Sequence, residues 1–241
     1  MEVKKYCFPY DHYIIDNFVD KDTARILSLE FLDYNSEKWF EYNNPLENKK
    51  TIREWGAFPK TTYKFFSELC GHEFTNAVQQ ITGCNSLIPD YGLHGAGWHI
   101  HKTGDHLNIH LDYDIHPLLN LQRKYNLILY LNDEWSSHWG GELELWTHDP
   151  LKNKPKDKAV SIQPLFNRAV LFDTTQNSWH GFSNKLSCPE GVYRKSIAMY
   201  YLTPVNLSKL TPPVRKRALY APLKSQENDT NILKLIKQRS Q

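Results

Sequence analysis

The segment from Leu93 to Pro117 reads LHGAGWHIHKTGDHLNIHLDYDIHP and contains six of the chain's eleven histidines. Apolar and polar side chains alternate strictly over residues 107–113, LNIHLDY. This alternation is typical of a half-buried strand, because successive side chains leave opposite faces of the pleat. His110 and Asp112 therefore share one face, close enough to bind a single ion. A merely polar strand face is the alternative that this tripeptide leaves open.

A second histidine from a distant part of the chain would complete a metal site with the His-x-Asp pair. Two histidines and one carboxylate form the facial triad that binds non-haem Fe(II). His180 is the candidate, because it follows the buried-type strand predicted at 168–173 and several predicted strands separate it from Asp112. In a β-sandwich that separation is enough for the chain to return to the same site.

The part of the chain after Tyr91 consists of short apolar runs separated by turn residues. These runs predict strands near residues 97–101, 107–113, 125–131, 142–146, 159–163, 168–173, 178–182 and 193–202. Eight short strands without intervening helices favour an antiparallel sandwich or jelly roll.

The part before residue 91 carries helical patterns instead. The sequence predicts a first strand at 13–19, a helix from Asp22 or Thr23 to about Tyr34, and a loop with at most one short strand over 35–60. Two further helices are predicted at 60–70 and 72–82, the second ending at Gly83, and both are expected to pack on the outside of a sheet.

The expected fold class is therefore mainly β with flanking helices (α+β), in one structural domain. We predict an N-terminal helical and strand segment at 1–90, a barrel core at 91–204 and a tail at 205–241. The polar run 152–158 is interpreted as an exposed loop. The tail is interpreted as solubilising, with a short helix at 231–237; attraction of an acidic partner by its basic residues is the alternative.

Composition excludes several classes of protein. The chain has 241 residues, of which 40% are hydrophobic and 13% aromatic, which is enough for a sizeable core. A net charge of +2 gives no reason to expect nucleic acid or an anionic membrane as partner. No apolar run approaches the roughly 18 residues needed to span a bilayer. Four cysteines without CxxC spacing and no visible secretory signal predict a reduced, cytoplasmic protein; the oligomeric state stays open.

The predicted strand at 193–202 places Arg194 and Ser196 on one face, together with Ala198 and Tyr200. An inward arginine is costly to bury without an anionic partner. A bidentate carboxylate ligand would satisfy it, with the serine hydroxyl adding a hydrogen bond. An internal salt bridge to a core Asp or Glu is the alternative. Arg123, at the start of another strand, is expected to stay exposed.

Taken together, these motifs resemble the Fe(II)/2-oxoglutarate-dependent oxygenases, and specifically their prolyl-4-hydroxylase-like branch. The resemblance covers roughly residues 91–204. The motifs, in order, are His110-x-Asp112, RKYNLILYLN at 123–132, GGEL at 140–143, PLFNR at 164–168, His180 and Arg194-x-Ser196.

The resemblance implies a double-stranded β-helix, that is, a jelly roll or cupin-like barrel, with the metal at its open end. It implies that the iron ligands are His110, Asp112 and His180, which would also be the catalytic residues.

The resemblance also implies a 2-oxoglutarate site. Arg194 would bind the distal carboxylate of 2-oxoglutarate, with Tyr130 as a second donor and Ser196 beside them. Asn126 and Leu143 are lesser candidates for lining the cosubstrate pocket. Collagen-type prolyl 4-hydroxylases typically carry a lysine where this chain has Arg194. The contact with the cosubstrate therefore differs in kind, and the resemblance implies the identity of the substrate less strongly.

The implied reaction is hydroxylation of an unactivated C–H bond with Fe(II), 2-oxoglutarate and O2, and with ascorbate as a candidate reductant. Peptidyl proline is the leading substrate, ahead of a small molecule such as a free amino acid, a sugar or a secondary metabolite. No strongly charged run lies near the motifs, which favours a neutral substrate. Two alternatives are a cupin-type metalloenzyme that does not use 2-oxoglutarate and a catalytically silent binding module.

Overall fold

A computed structural model of the protein describes residues 2–205 and 214–240. Its helices are α1 (Lys21–Leu29), α2 (Lys60–Leu69), α3 (His72–Thr82) and α4 (Thr230–Arg239), with 3-10 turns at Trp55–Ala57, Ser137–Trp139 and Lys224–Gln226. Its strands are β1 (Glu2–Tyr6), β2 (His12–Asp16), β3 (Phe40–Asn44), β4 (Glu47–Ile52), β5 (Ile88–Pro89), β6 (Gly97–His101), β7 (Leu107–Leu111), β8 (Gln122–Tyr130), β9 (Leu143–Asp149), β10 (Lys154–Ile162), β11 (Arg168–Asp173), β12 (Trp179–Phe182), β13 (Arg194–Thr203) and β14 (Leu219–Tyr220).

The strands form one curled antiparallel sheet. Its main path runs β1-β2-β11-β8-β13-β6-β4-β7-β12-β9-β10, while β3, β5 and β14 pair with β4, β13 and β7. One wall is β2-β11-β8-β13-β6 and the other is β7-β12-β9-β10, with β4 bridging them. The predicted α+β class and jelly roll are confirmed, and all eight strands predicted after residue 91 are present. The boundaries of the predicted domains stay a prediction.

Helices α1, α2 and α3 cover the outer face of the first wall. Leu27 of α1 and Phe66 of α2 are fully buried in one cluster with Ile197 and Met199 of β13. Because side chains alternate along a strand, Ala198, which lies between Ile197 and Met199, points to the opposite, inner face. The sheet therefore separates a dry core under the helices from the interior of the barrel.

Helix α1 ends earlier than the sequence predicts, at Leu29 and not near Tyr34. The next residue, Glu30, accepts hydrogen bonds from the backbone N–H groups of Thr61 and Thr62 at 3.1 and 2.7 Å. Its carboxylate thus caps the start of α2, a long-range contact that local periodicity does not reveal. Helix α3 ends as predicted, with Gly83 in the left-handed conformation at φ +73°.

Two predicted loops are strands. Residues 40–52 form the β3–β4 hairpin, in which β4 pairs with both β6 and β7. Its polar sequence has no continuous apolar face, because β3 is largely exposed and β4 is mostly half-buried. The run at 152–158 is partly strand, because β10 begins at Lys154 and pairs with β9 through two register shifts.

The interpretation of the C-terminal part as a solubilising tail is wrong for residues 214–240. Strand β14 pairs with β7, bringing Tyr220 opposite His110. Helix α4 is slightly longer than predicted and begins at the cap Asp229. Residues 206–213 of the predicted tail lie outside the described residues. Within the parts of the chain that are described, no helix is long and apolar enough to cross a bilayer.

Candidate active site

Three side chains on neighbouring strands form a potential metal site inside the barrel. His110 lies on β7, Asp112 follows the end of that strand, and His180 on β12 pairs directly with His110. One ligand atom from each lies within 4.8 Å of the others, and all three residues are buried. The structure therefore brings together the three residues that the sequence predicts as iron ligands.

The hydrogen bonds of the two histidines direct one nitrogen of each ring toward Asp112. Nδ1 of His110 lies 2.9 Å from the carbonyl oxygen of Asn108, and Nδ1 of His180 lies 2.8 Å from that of Ser178. A carbonyl can only accept, so Nδ1 carries the proton in both rings and Nε2 keeps its lone pair. The two Nε2 atoms lie 3.8 and 3.9 Å from the Asp112 carboxylate.

Asp112 is held by polar side chains from the first wall of the barrel. The hydroxyl of Tyr200 donates to Oδ2 at 3.0 Å and itself accepts from Asn126 at 3.0 Å. Burial alone would raise the pKa of Asp112, but His180, Arg123 and His110 outweigh it and lower that pKa to about 2. Burial also lowers the pKa of His110 to about 3. At neutral pH the site thus offers a carboxylate and neutral imidazole, the protonation states that metal binding requires.

The expectation that Arg123 stays exposed is wrong. It is 1% exposed, and its guanidinium stacks between the rings of Tyr113 and Tyr200, 3.5 Å from each centroid. The cause is a bulge: Tyr201 pairs with Tyr125 but Leu202 pairs with Arg123, so β8 carries one extra residue. That residue turns Arg123 onto the inner face beside Asp112.

Arg194, at the start of β13, is a buried cation without a carboxylate partner. Its Nε donates to the carbonyl oxygen of Gly141 at 2.8 Å, and an NH2 group lies 3.4 Å from the hydroxyl of Tyr130. Within residues 2–205 and 214–240 no Asp or Glu oxygen lies within 4.0 Å of it, so the alternative of an internal salt bridge finds no support. Burial lowers the pKa of Arg194, while Tyr130 raises it.

Gly141 makes this close contact possible. It has φ +77°, and a Cβ there would lie 2.7 Å from a methyl group of Leu186 and 3.0 Å from Cδ of Arg194. Only glycine combines that backbone conformation with the space for the arginine stem. Gly141 therefore provides the space in which the Arg194 side chain packs.

The triad and Arg194 line the same cavity, which has a volume of about 440 Å³. Ser196, Asn126 and Leu143 also line it, as the sequence predicts, whereas Tyr130 reaches it through Arg194. The cavity thus brings together four of the five residues predicted for the cosubstrate site, Tyr130 being the exception, and its size suits a small dicarboxylate and part of a second ligand.

Residues 96–202 match the family described as the 2OG-Fe(II) oxygenase superfamily. That range contains the triad, Arg194 and the strands that carry them. This segment of the chain is therefore similar to the 2OG-Fe(II) oxygenase superfamily.

Curated relatives and solved structures agree with this similarity. The chain is 26% identical over 204 residues to mouse prolyl 3-hydroxylase OGFOD1, covering 81% of this chain and 33% of that protein. A Xenopus laevis protein of the same name is 34% identical over 79 residues, which are 33% of this chain and 15% of that protein. The chain therefore spans a third or less of the curated relatives that it matches.

Two solved structures share the fold of this chain. A Pseudomonas putida prolyl-4-hydroxylase superposes with a TM-score of 0.59 at 16% identity, over 81% of this chain and 93% of that one. A Trichoplax adhaerens prolyl hydroxylase, solved with a hypoxia inducible factor oxygen degradation domain peptide fragment, gives 0.53 at 20% identity, over 80% and 83%. The double-stranded β-helix that the sequence implied is confirmed.

Several residues at the site were not predicted from sequence. Lys49 of β4 lines the cavity, as do Lys216, Arg217 and Arg239 from the C-terminal part of the chain. Tyr220 stacks on His110 with ring centroids 5.2 Å apart. No local pattern in the sequence signals these residues, because the place of Lys49 depends on the pairing of β4 with β6 and β7, and that of the C-terminal residues on the pairing of β14 with β7.

Proposed function

We propose that the protein is an Fe(II)- and 2-oxoglutarate-dependent dioxygenase that hydroxylates a prolyl residue in a peptide or protein. One observation supports this most directly: a three-ligand metal site and a buried arginine without a carboxylate partner open onto one cavity. A cupin-type enzyme without 2-oxoglutarate would have no use for the arginine. A binding module would have no use for the triad.

His110, Asp112 and His180 would hold Fe(II). The residues present fit this ion, because the two histidines direct unprotonated Nε2 atoms at a carboxylate that Tyr200 orients. Two imidazoles and one carboxylate on one side leave the opposite positions free for further ligands. When bound, iron and 2-oxoglutarate together supply the activation of O2, with succinate and CO2 as coproducts.

Arg194 would bind the distal carboxylate of 2-oxoglutarate. Its Nε is used by Gly141, so the terminal nitrogens are left for the cosubstrate, and the Tyr130 hydroxyl stands beside them. The aromatic faces of Tyr130 and Phe182, each 4.9 Å from the guanidinium carbon, fix its plane and exclude water. A fixed plane favours bidentate binding of a carboxylate.

A prolyl substrate is supported by the names of the relatives. The curated relatives are prolyl 3-hydroxylases, and one of the related structures holds a peptide. Two exposed residues of the segment before β14, Lys216 and Arg217, line the cavity, so it meets solvent beside that segment. A free small molecule is the alternative substrate class.

Oxygen incorporation tests the proposal. The protein, loaded with Fe(II) under argon, is given 2-oxoglutarate, ascorbate and O2 with either proline-containing peptides and lysate proteins or a metabolite extract. We expect succinate and a mass gain of one oxygen atom on prolyl residues. His180→Ala is the matched inactive control. Oxygen found only in small metabolites, with no hydroxyproline in any protein, would overturn the proline assignment.

A further inference from the structure

The side chains that line the cavity carry a net positive charge larger than that of the whole chain. Six of its lining side chains are Lys or Arg and two are Asp or Glu, a balance of +4. The whole chain has a net charge of only +2. The cations are therefore concentrated at the cavity, and clefts lined by one sign of charge attract ligands of the other.

Most of these cations interact with other groups of the protein or lie deep in the cavity. Glu47 is shared by Lys49 at 3.1 Å and Arg239 at 2.7 Å. Arg123 is enclosed by two tyrosines, and Arg194 lies at the cosubstrate end. Fe(II) and 2-oxoglutarate carry opposite double charges, so loading the site leaves the balance unchanged.

Lys216 and Arg217 remain at the mouth. Both are exposed, and in the described part of the chain neither has a carboxylate within 4.0 Å. Their neighbour Arg215 differs, because it is bound to Asp114. That ion pair fixes the segment while leaving the next two cations free to meet a ligand.

The distance from these cations to the metal site sets where their partner must lie. Tyr220 pairs with His110, and Arg217 precedes Tyr220 by three residues. An extended chain spans at most about 3.5 Å per residue, so Arg217 is within about 10 Å of this pairing point. An extended peptide covers the same distance in about three residues.

We infer that the substrate carries Asp or Glu within about three residues of the target proline, recognised by Lys216 and Arg217. This inference rests on the proposed function and names its substrate class, an acidic peptide. It departs from the neutral substrate that the sequence favours, because Lys216 and Arg217 lie far from the motifs in sequence.

Three peptides of equal length test the inference, with the central proline flanked by Asp, Asn or Lys. For the wild type we expect KM to be about three- to tenfold lower for the Asp peptide than for the Asn peptide, and highest for the Lys peptide. The differences should shrink as salt is added. In the variant Lys216→Glu/Arg217→Glu the order should reverse. Fluorescence anisotropy of labelled peptides should give the same order without turnover.

A charge-matched variant provides the control. Lys21→Glu/Arg25→Glu changes net charge equally, but both residues are exposed on α1, on the outer face of the sheet. We expect it to keep the wild-type order of KM. Succinate formation without peptide should also stay at the wild-type rate in Lys21→Glu/Arg25→Glu.

The outcomes separate the two proposals. Equal KM for the three peptides in the wild type, with hydroxyproline in each, would overturn acidic recognition and leave proline hydroxylation standing. Charge-ordered binding with no hydroxyproline would support acidic recognition while refuting the proposed reaction. Tighter binding of a single-stranded oligonucleotide than of the Asp peptide, lost in Lys216→Glu/Arg217→Glu, would overturn the peptide assignment.

Discussion

Glu47→Gln should destabilise the protein and loosen the C-terminal part of the chain over the cavity. Glu47 lies on β4 and is 1% exposed. It forms salt bridges with Lys49 of its own strand and with Arg239 of α4. It is therefore the carboxylate that ties the last helix to the barrel. Glutamine keeps the shape of the side chain but removes the charge that both cations share.

The pKa of Glu47 gives the magnitude. Burial alone would raise this pKa, but Lys49 and Arg239 outweigh burial and lower it from 4.5 to about 2. Such a difference between the unfolded and folded protein corresponds to roughly 3 kcal/mol of stability. Because the folded pKa is the lower one, this stability is complete above about pH 5 and is lost as the pH falls, with roughly half gone near pH 3.

Urea unfolding followed by tryptophan fluorescence measures this effect. At pH 7 the free energy of unfolding should be roughly 3 kcal/mol lower for Glu47→Gln than for the wild type, and this difference should fall to roughly half near pH 3. The control is Glu68→Gln, whose partner Lys64 is exposed and whose ion pair should contribute less than about 1 kcal/mol. A difference below about 0.5 kcal/mol at pH 7, or one independent of pH, would refute the role of Glu47.

Three further predictions concern the site. His180→Ala should weaken anaerobic Fe(II) binding, measured by calorimetry, more than about a hundredfold with the fold intact; retained 2-oxoglutarate turnover would contradict its assignment as a ligand. Arg194→Leu should raise KM for 2-oxoglutarate about tenfold to a hundredfold, with a smaller change in the free energy of unfolding; an unchanged KM would make Arg194 structural. Tyr200→Phe removes the 3.0 Å bond to Asp112 and should weaken Fe(II) binding about tenfold, and wild-type affinity would show that the carboxylate needs no such support.

Most of the barrel and the metal site could be predicted because their signals are local or ordered along the chain. The alternation around His110 and Asp112 fixes which side chains share a face; His110 lies on β7 and Asp112 directly follows the end of that strand. The same holds for β13, where Arg194 and Ser196 both line the cavity. Helix α3 ends at Gly83 for an equally local reason, its left-handed conformation.

The errors share one physical origin. Arg123 turns inward because β8 contains one residue more than β13 opposite it, and a bulge depends on how two strands pair. Helix α1 ends at Leu29 because Glu30 binds the N–H groups of α2. In both cases a contact between distant residues outweighs the local preference.

The sequence by itself determined the class of fold, the three candidate iron ligands and the arginine for the cosubstrate, because strand alternation assigns side chains to faces before any strand is paired. Only the tertiary structure decided what surrounds them. Strand β14 pairs with β7, Arg239 binds Glu47, and Lys216 and Arg217 stand at the mouth. The charges along the sequence sum to only +2. Folding places six Lys and Arg side chains around one cavity, which gives that cavity its positive character.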